Sequence, residues 1–394
     1  MGETSKPRYA GSLASDLTPM DAQLGRDDYT VGWICTTLIE LAAAVELLDE
    51  EHESLPQTPN DDNTYTFGRI GSHNIVIGCR PAGQRGTSSA ALVASQMRIT
   101  FGCLRFGLLV GVGGGVPTMG NDIRLGDVVV SQPDRQFGGV VQYDIRERHP
   151  DGRFIRTGLL NAPPTVLLSA LQELKSNHQR GINKSTEYLD KLCFKQDMGF
   201  QHPEEQSDLL FQAGYKHVDG HNCEGCDTKG LVVRDPRMKQ FIVYYGTIAS
   251  GNLDVGDSET RQQLNNDLGG VLCLETEAAG LMNAFPCLVI RGICDYADSH
   301  KNDRWQGYAA ATAAAYAKDF LTVVPVIEVR NTQTIGQTVA AEKGRQKNDL
   351  SGHFGSGGGP QFNGVVFEGP VNFGHTTGQV ARKCEWLYFP QDSC

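Results

Sequence analysis

Several features are missing from this sequence of 394 residues. No stretch of about 18 uncharged apolar residues occurs, so no segment has the apolar length to cross a bilayer as a helix. The opening residues MGETSKPRYAGSL hold no apolar core of the export-signal type, and Lys6 stands where an N-myristoylation pattern wants Ser or Thr. The eleven cysteines are therefore expected as reduced thiols of a cytosolic protein rather than as a disulfide framework. Basic charge is in the minority. With 35 Lys and Arg against 46 Asp and Glu, the net charge of −11 excludes a general nucleic-acid-binding surface. No G-x-x-x-x-G-K-[ST] exists, which excludes a P-loop, and GVGGGVP fails as a dinucleotide fingerprint because Val116 takes the third glycine position.

What is there suits a globular chain with a sizeable core: 40% hydrophobic and 21% charged residues. Residues 1–27 are polar and aperiodic, and are expected to form a loose arm. From YTVGWIC onward, β-rich apolar runs alternate with segments of helical periodicity such as LIELAAAVELLDEEH and SSAALVASQMRITFG. TYTFGRIGSHNIVIG predicts a hairpin turning at Gly-Ser. A polar insertion interrupts the pattern at about 178–240, after which FIVYYGTIASGN, GVLCLETEAAGLMNA and FPCLVIRGICDYAD resume it. Strands alternating with helices predict one α/β domain over 28–330, its sheet covered on both faces and its ligand at the strand ends. Residues 331–394 predict a linker and a Gly-rich tail, whose patch QFNGVVFEGPVNFG is either disordered or self-associating.

The chemistry concentrates where apolar runs end in carboxylates. LETEAAGL places Glu275 and Glu277 at i, i+2 after a buried-type strand, so both point the same way and need a polar partner. RGICDYADS puts Asp295 just past another strand, where a helix N-cap is the plain alternative to a functional role. Glu40 lies in the first turns of the first helix, amid apolar neighbours. Carboxylates that converge at one sheet edge are suited to acid–base hydrolysis. The glycines 111–115 serve either a tight turn or close backbone approach to a ligand. In KHVDGHNCEGC, His217, His221, Cys223 and Cys226 have zinc-like spacing; a structural zinc, a thiol-bearing surface loop and a disulfide all stay open.

The ordered set VGWIC with Glu40, GVGGGVP with GDVVVS, YGTIASGN, LETEAAG and RGICDYAD resembles the nucleoside phosphorylase superfamily over about residues 28–325. It is most similar to the methylthioadenosine/S-adenosylhomocysteine nucleosidase branch, and within that to the nucleosidase-like domains of fungal NOD-like receptors. The resemblance implies a three-layer α/β/α fold with a mixed, twisted central sheet, homo-oligomers, a nucleoside or nucleotide as ligand, and no organic cofactor. By the same resemblance, Glu40 activates water, standing eight residues after Gly32. Asp295 protonates the purine, Glu277 accepts from both ribose hydroxyls, and Glu275 supports it or makes a second ribose contact. Cys294 replaces the serine that usually precedes the Asp, and is a poorer donor. Val112, Gly113, Gly114, Thr276 and Asn252 are expected to line the substrate, with Asn252 at the base edge. Phosphorylases carry an Arg and a Ser or Thr where this chain has Leu109 and Val112, so water is the expected acceptor. Arg85, at the start of a predicted helix, is the alternative anion contact, with Thr87 and Ser88 beside it. No aromatic follows ASGN, where Leu253 and Asp254 stand.

Overall fold

Strand β1 (Val31–Cys35) is buried at all five positions, as its unbroken apolar run predicts for a strand covered on both faces. It belongs to a computed structural model that describes residues 24–349, apart from 135–136, 151–153 and 219–221. Helix α1 (Leu38–Glu46) follows β1, started by Thr37, whose hydroxyl accepts from the Glu40 N–H. Then come β2 (Glu50–His52), β3 (Tyr65–Ile70) and β4 (His73–Cys79). The last two form the expected antiparallel hairpin, with Gly71 at φ 58° in its turn. Helix α2 (Gly86–Thr100) leads to the ten-residue β5 (Phe106–Gly115), followed by β6 (Val128–Ser131) and β7 (Val140–Gln142). A separate ribbon pairs β8 (Arg146–Arg148) with β9 (Phe154–Arg156).

Helices α3 (Thr165–Gln179) and α4 (Ser185–Cys193) precede β10 (Val243–Gly246) and β11 (Ile248–Ser250). The chain continues through α5 (Ser258–Asp267), β12 (Cys273–Glu275), the single-turn α6 (Ala278–Leu281) and β13 (Cys287–Asp295). Helices α7 (Gln306–Val323), α8 (Val326–Asn331) and α9 (Ile335–Asp349) complete the described chain.

Eleven strands make one mixed sheet whose main path runs β10-β6-β13-β5-β1-β4-β3-β2. β4, β1, β5 and β13 are mutually parallel, so their carboxyl ends share one edge. β5 outlasts its pairing with β1 and sets its last residues, Gly114 and Gly115, against β12 in antiparallel register, Gly114 also keeping its place beside Asp295 of β13. β12, β11 and β7 extend from there. α7 packs on β5, β13 and β6, with α1, α3 and α4 around it, while α2 and α6 lie against each other on the other side. Small residues let α7 approach: a Cβ at Gly292 would sit 1.8 Å from the Ala309 carbonyl oxygen. The expected mixed α/β architecture with covered faces is the one observed.

Two boundaries differ from expectation. The insertion is not polar throughout, because α4 buries Leu189 and Leu192 beside α7. Asp319 on α7 fastens it, accepting from the backbone N–H groups of Lys184 and Ser185 and from the Ser185 hydroxyl. Residues 335–349 are helical rather than linker, with Ile335 and Val339 buried in the core. The first compact unit accordingly runs to Lys343. The arm at 1–23 and the Gly-rich tail from 350 lie outside the described residues.

Candidate active site

The loops at the shared carboxyl edge enclose a cavity of about 450 Å³. β1 delivers Thr36, Thr37 and Glu40; β4 delivers Arg80; β5 delivers Val112, Gly113 and Gly114. β12 and the turn after it bring Glu275, Thr276 and Glu277, while the end of β13 brings Cys294 and Asp295. Glu40, Glu277 and Asp295, distant in sequence, thus line one space. Arg85 and Asn252 also line it, whereas Thr87 and Ser88, expected beside Arg85, are not among its lining residues.

Glu40 is 3% exposed and tightly held. Its Oε2 accepts from the Thr36 N–H (2.7 Å), the Thr36 hydroxyl (2.8 Å) and the Thr37 N–H (2.9 Å). Its Oε1 accepts from the Val112 N–H at 2.9 Å, which leaves room for one more donor on that oxygen alone. Gly111 makes this reach possible, since a Cβ there would lie 2.6 Å from Glu40 Oε1.

The polar partner required by Glu275 and Glu277 is a pair of arginines that the motif did not reveal. Arg291, fully buried in the middle of β13, donates through Nη2 to Glu275 Oε2 and, at 3.2 Å, to Glu277 Oε2. Arg80 donates to Glu277 Oε1 at 2.9 Å, and the Thr276 hydroxyl donates to the same oxygen at 2.8 Å. Burial pulls Arg291 down, but the carboxylates of Glu275, Glu277 and Glu40 outweigh it and hold the guanidinium above its ordinary value. Glu275 also accepts from the Glu277 and Ala278 N–H groups, which fixes the first turn of α6. Glu275 is therefore held by the protein itself: burial raises its carboxyl above the ordinary value, the Glu277 charge adds to the rise, and Arg291 with the Ala278 N–H opposes it. Three of the roughly four acceptor positions on Glu277 are already taken, so it has one for a ligand rather than two.

Asp295 Oδ1 accepts from the Ala297 N–H at 2.8 Å, and Oδ2 faces the Cys294 thiol at 3.2 Å and Lys301 Nζ at 3.7 Å. Burial and the Asp295 charge push the Cys294 thiol well above its ordinary value, so it stays protonated and donates. The substituted cysteine thus occupies the donor position. Gly114 clears the space, as a Cβ there would meet Asp295 Oδ1 at 2.9 Å. Lys301, also unforeseen, bridges Asp295 and Asp254.

Asn252 departs from expectation. Its Oδ1 accepts from both the N–H (3.0 Å) and hydroxyl (2.9 Å) of Thr87, and its Nδ2 donates to Asp144 at 3.0 Å. The side chain clamps the start of α2, so its carbonyl has no capacity to read a base edge, and the Thr87 N–H is not open to a phosphate. The surroundings are also less bare of positive charge than the glycine segment suggested, with Arg80, Arg85 and Lys301 all lining the cavity. Arg291 had a visible signal, being a charge inside an apolar strand that demands a buried partner. Arg80 and Lys301, on strand-end loops, had none.

Elsewhere, His217, Cys223 and Cys226 come together, whereas the expected fourth member, His221, lies outside the described residues. Their companion is His300, five residues beyond Asp295.

No family model matches the chain. It is 46% identical over 315 residues to a nucleotide-binding leucine-rich repeat (NLR)-like protein of Hyaloscypha variabilis, covering 79% of this chain but 31% of that relative's length. It is 26% identical over 305 residues to the 5′-methylthioadenosine/S-adenosylhomocysteine nucleosidase of Mycobacterium bovis, covering 76% of this chain and 98% of that enzyme. An ATP nucleosidase, Cap17, of Escherichia coli is 34% identical over 86 residues, 21% of this chain and 17% of Cap17. Among solved structures, futalosine hydrolase of Helicobacter pylori is similar at 19% identity and a TM-score of 0.49, covering 75% of this chain and 97% of that one. The relatives matched along most of this chain are thus an NLR-like protein, of whose length the chain spans about a third, and a 5′-methylthioadenosine/S-adenosylhomocysteine nucleosidase.

Proposed function

We propose that the chain hydrolyses the N-glycosidic bond of a purine nucleoside or nucleotide, yielding free base and the ribosyl product. The observation that carries this is the meeting of Glu40, Glu277 and Asp295 around one cavity. A water on Glu40 Oε1 attacks the anomeric carbon and gives up a proton to the carboxylate. The carbon–nitrogen bond breaks through an oxocarbenium-like sugar, and its electron pair leaves with the base. Asp295 supplies the proton at the purine, with Cys294 and the Ala297 N–H holding it in place. Glu277 takes one ribose hydroxyl on its remaining acceptor position.

The nucleosidase relatives support this class of reaction, and an adenine-type base is part of the proposal. So are a homo-oligomeric, cytosolic protein and the absence of an organic cofactor. A 5′-phosphorylated substrate is a second reading, favoured by Arg85 at the cavity and by the ATP nucleosidase relative. Phosphorolysis has less support, because Leu109 is buried within β5 and Val112 carries no anion-binding group. A nucleotide-binding assembly module without turnover is the non-enzymatic reading, motivated by the NLR-like relative.

The test is chromatography of nucleosides, adenine nucleotides and methylthioadenosine after incubation, with and without phosphate. Glu40→Ala and Asp295→Ala should each lower base release roughly 100-fold or more with the circular dichroism spectrum unchanged. Ribose 1-phosphate formed only when phosphate is present, or tight nucleotide binding without turnover, would overturn the hydrolase.

A further inference from the structure

We infer that His217, Cys223, Cys226 and His300 form a Cys₂His₂ zinc site that fastens the loop after Asp295 to the insertion. The four ligand atoms lie within 4.8 Å of one another. Cys223 Sγ is 3.8 Å from His217 Nδ1 and 3.5 Å from His300 Nδ1. Cys226 Sγ is 3.4 Å and 3.8 Å from the same two atoms. A tetrahedral zinc with ordinary Zn–S and Zn–N lengths requires nitrogen and sulfur ligands about 3.6 Å apart. The four separations bracket that value.

Hydrogen bonds alone do not account for the arrangement. Two thiols have two protons, yet each sulfur faces both imidazole nitrogens. One cation at the centre satisfies all four contacts. The ring of His300 is set for it: Nε2 lies 3.1 Å from the Tyr215 carbonyl oxygen, which only an N–H can satisfy. Nδ1 is then the nitrogen with a free lone pair, held by the kind of backbone contact that orients metal-bound imidazoles. The ring also stacks on Phe211 with centroids 3.9 Å apart. Both cysteines sit on one turn, closed by the Cys226 N–H donating to the Cys223 carbonyl at 3.1 Å. Mixed nitrogen and thiolate donors in tetrahedral array suit zinc among the common divalent metals.

The site joins segments about 75 residues apart in sequence, and His300 is adjacent to Lys301, which faces Asp295. Between Asp295 and His300, Ala297 adopts a left-handed φ of 48°, a conformation that costs an L-residue of its type energy and needs external restraint. The Asp298 carboxylate holds the loop's middle, pairing with Arg261 and accepting from the His300 N–H at 2.9 Å. Zinc would hold its far end. Metal binding here is independent of the proposed hydrolysis.

The experiment takes the full chain, purified reduced and dialysed without chelator, for elemental analysis and for cobalt(II) titration after metal removal. One zinc per chain is expected, together with a thiolate-to-cobalt charge-transfer band and the visible spectrum of tetrahedral cobalt. Cys226→Ser and His300→Ala should weaken metal binding at least 100-fold, more than the loss typical of an outer-shell partner. Cys103→Ser, in a surface thiol beside Asp27, should not. Thiol counting on the wild-type chain avoids dependence on variants that fail to fold: chelator should expose two more reactive cysteines. Reduced wild-type chain that takes up neither zinc nor cobalt, or a Cys226→Ser chain with unweakened cobalt binding, overturns the site.

Discussion

At the scale of the residue, Arg291 decides whether the carboxylate cluster is tolerable. It is fully buried, pairs with Glu275 and Glu277, and has no counterpart that could replace it on the same strand. Removing Arg291 leaves Glu275 without its cationic partner, while Glu277 keeps Arg80; breaking a buried pair in this way costs about 3–5 kcal/mol. Arg291→Met should therefore lower unfolding free energy by that amount in urea, measured by circular dichroism. Adding Glu275→Gln to Arg291→Met should recover part of the loss, since one uncompensated charge disappears. If the single variant is as stable as the wild type, the cluster is not held in this way. The sequence shows that Glu275 and Glu277 need a donor. It does not show which, because two arginines and a sugar diol satisfy the same acceptors.

At the scale of the element, Asn252 and Asp144 anchor the first turn of α2 beside the cavity. Asp144 accepts from the Asn252 N–H at 2.7 Å and from its amide at 3.0 Å. Burial pushes the Asp144 carboxyl up, but these N–H donors and Gln142 prevail and hold it below its ordinary value of 3.8. A group with a depressed folded value contributes stability above its unfolded value and loses it as pH falls through the folded one. The contribution should thus be complete above about pH 5 and decline below pH 4. Asp144→Asn should flatten this part of the stability profile while removing the contribution at neutral pH. A profile below pH 5 identical to the wild type would exclude the clamp. Elements themselves were largely legible: the period of the apolar residues marked β1, β5, β13 and α7, and Gly-Ser marked the hairpin. Strand-end loops were not, because their conformation is set by groups such as Asp144 and Asp298 that act across the fold.

At the scale of the whole molecule, the domain extends beyond its apparent end. NTQTIGQTVAAEKGRQ has a linker's composition, yet Ile335 and Val339 are buried, and the Ile335 N–H donates to the Leu104 carbonyl at 2.8 Å. Two apolar side chains spaced one helical turn apart are too weak a periodic signal in a polar background. Truncation after 330 should cost about 3 kcal/mol or more in urea denaturation, from the burial lost at these two positions. Truncation after 343 should leave stability within error of the full chain. Equal stability of the two truncations would show that the helix does not belong to the folded unit. The convergence of Glu40 and Asp295 was legible for a related reason: each stands where one of the parallel strands β1 and β13 ends, whereas Glu277 follows β12, which runs antiparallel to β5. The cation shell around them was not, since Arg80 and Lys301 occupy ordinary-looking loops.

The double allegiance of β5 has a bearing on how such a domain diversifies. One strand is laced to β1 and β13 on its flanks and to β12 at its tip, so the backbone beneath the cavity is tethered from three directions. Insertions there would tear the sheet. Residues 252–257, which lie outside the sheet and line the cavity, are where changes would reshape it without rebuilding the floor.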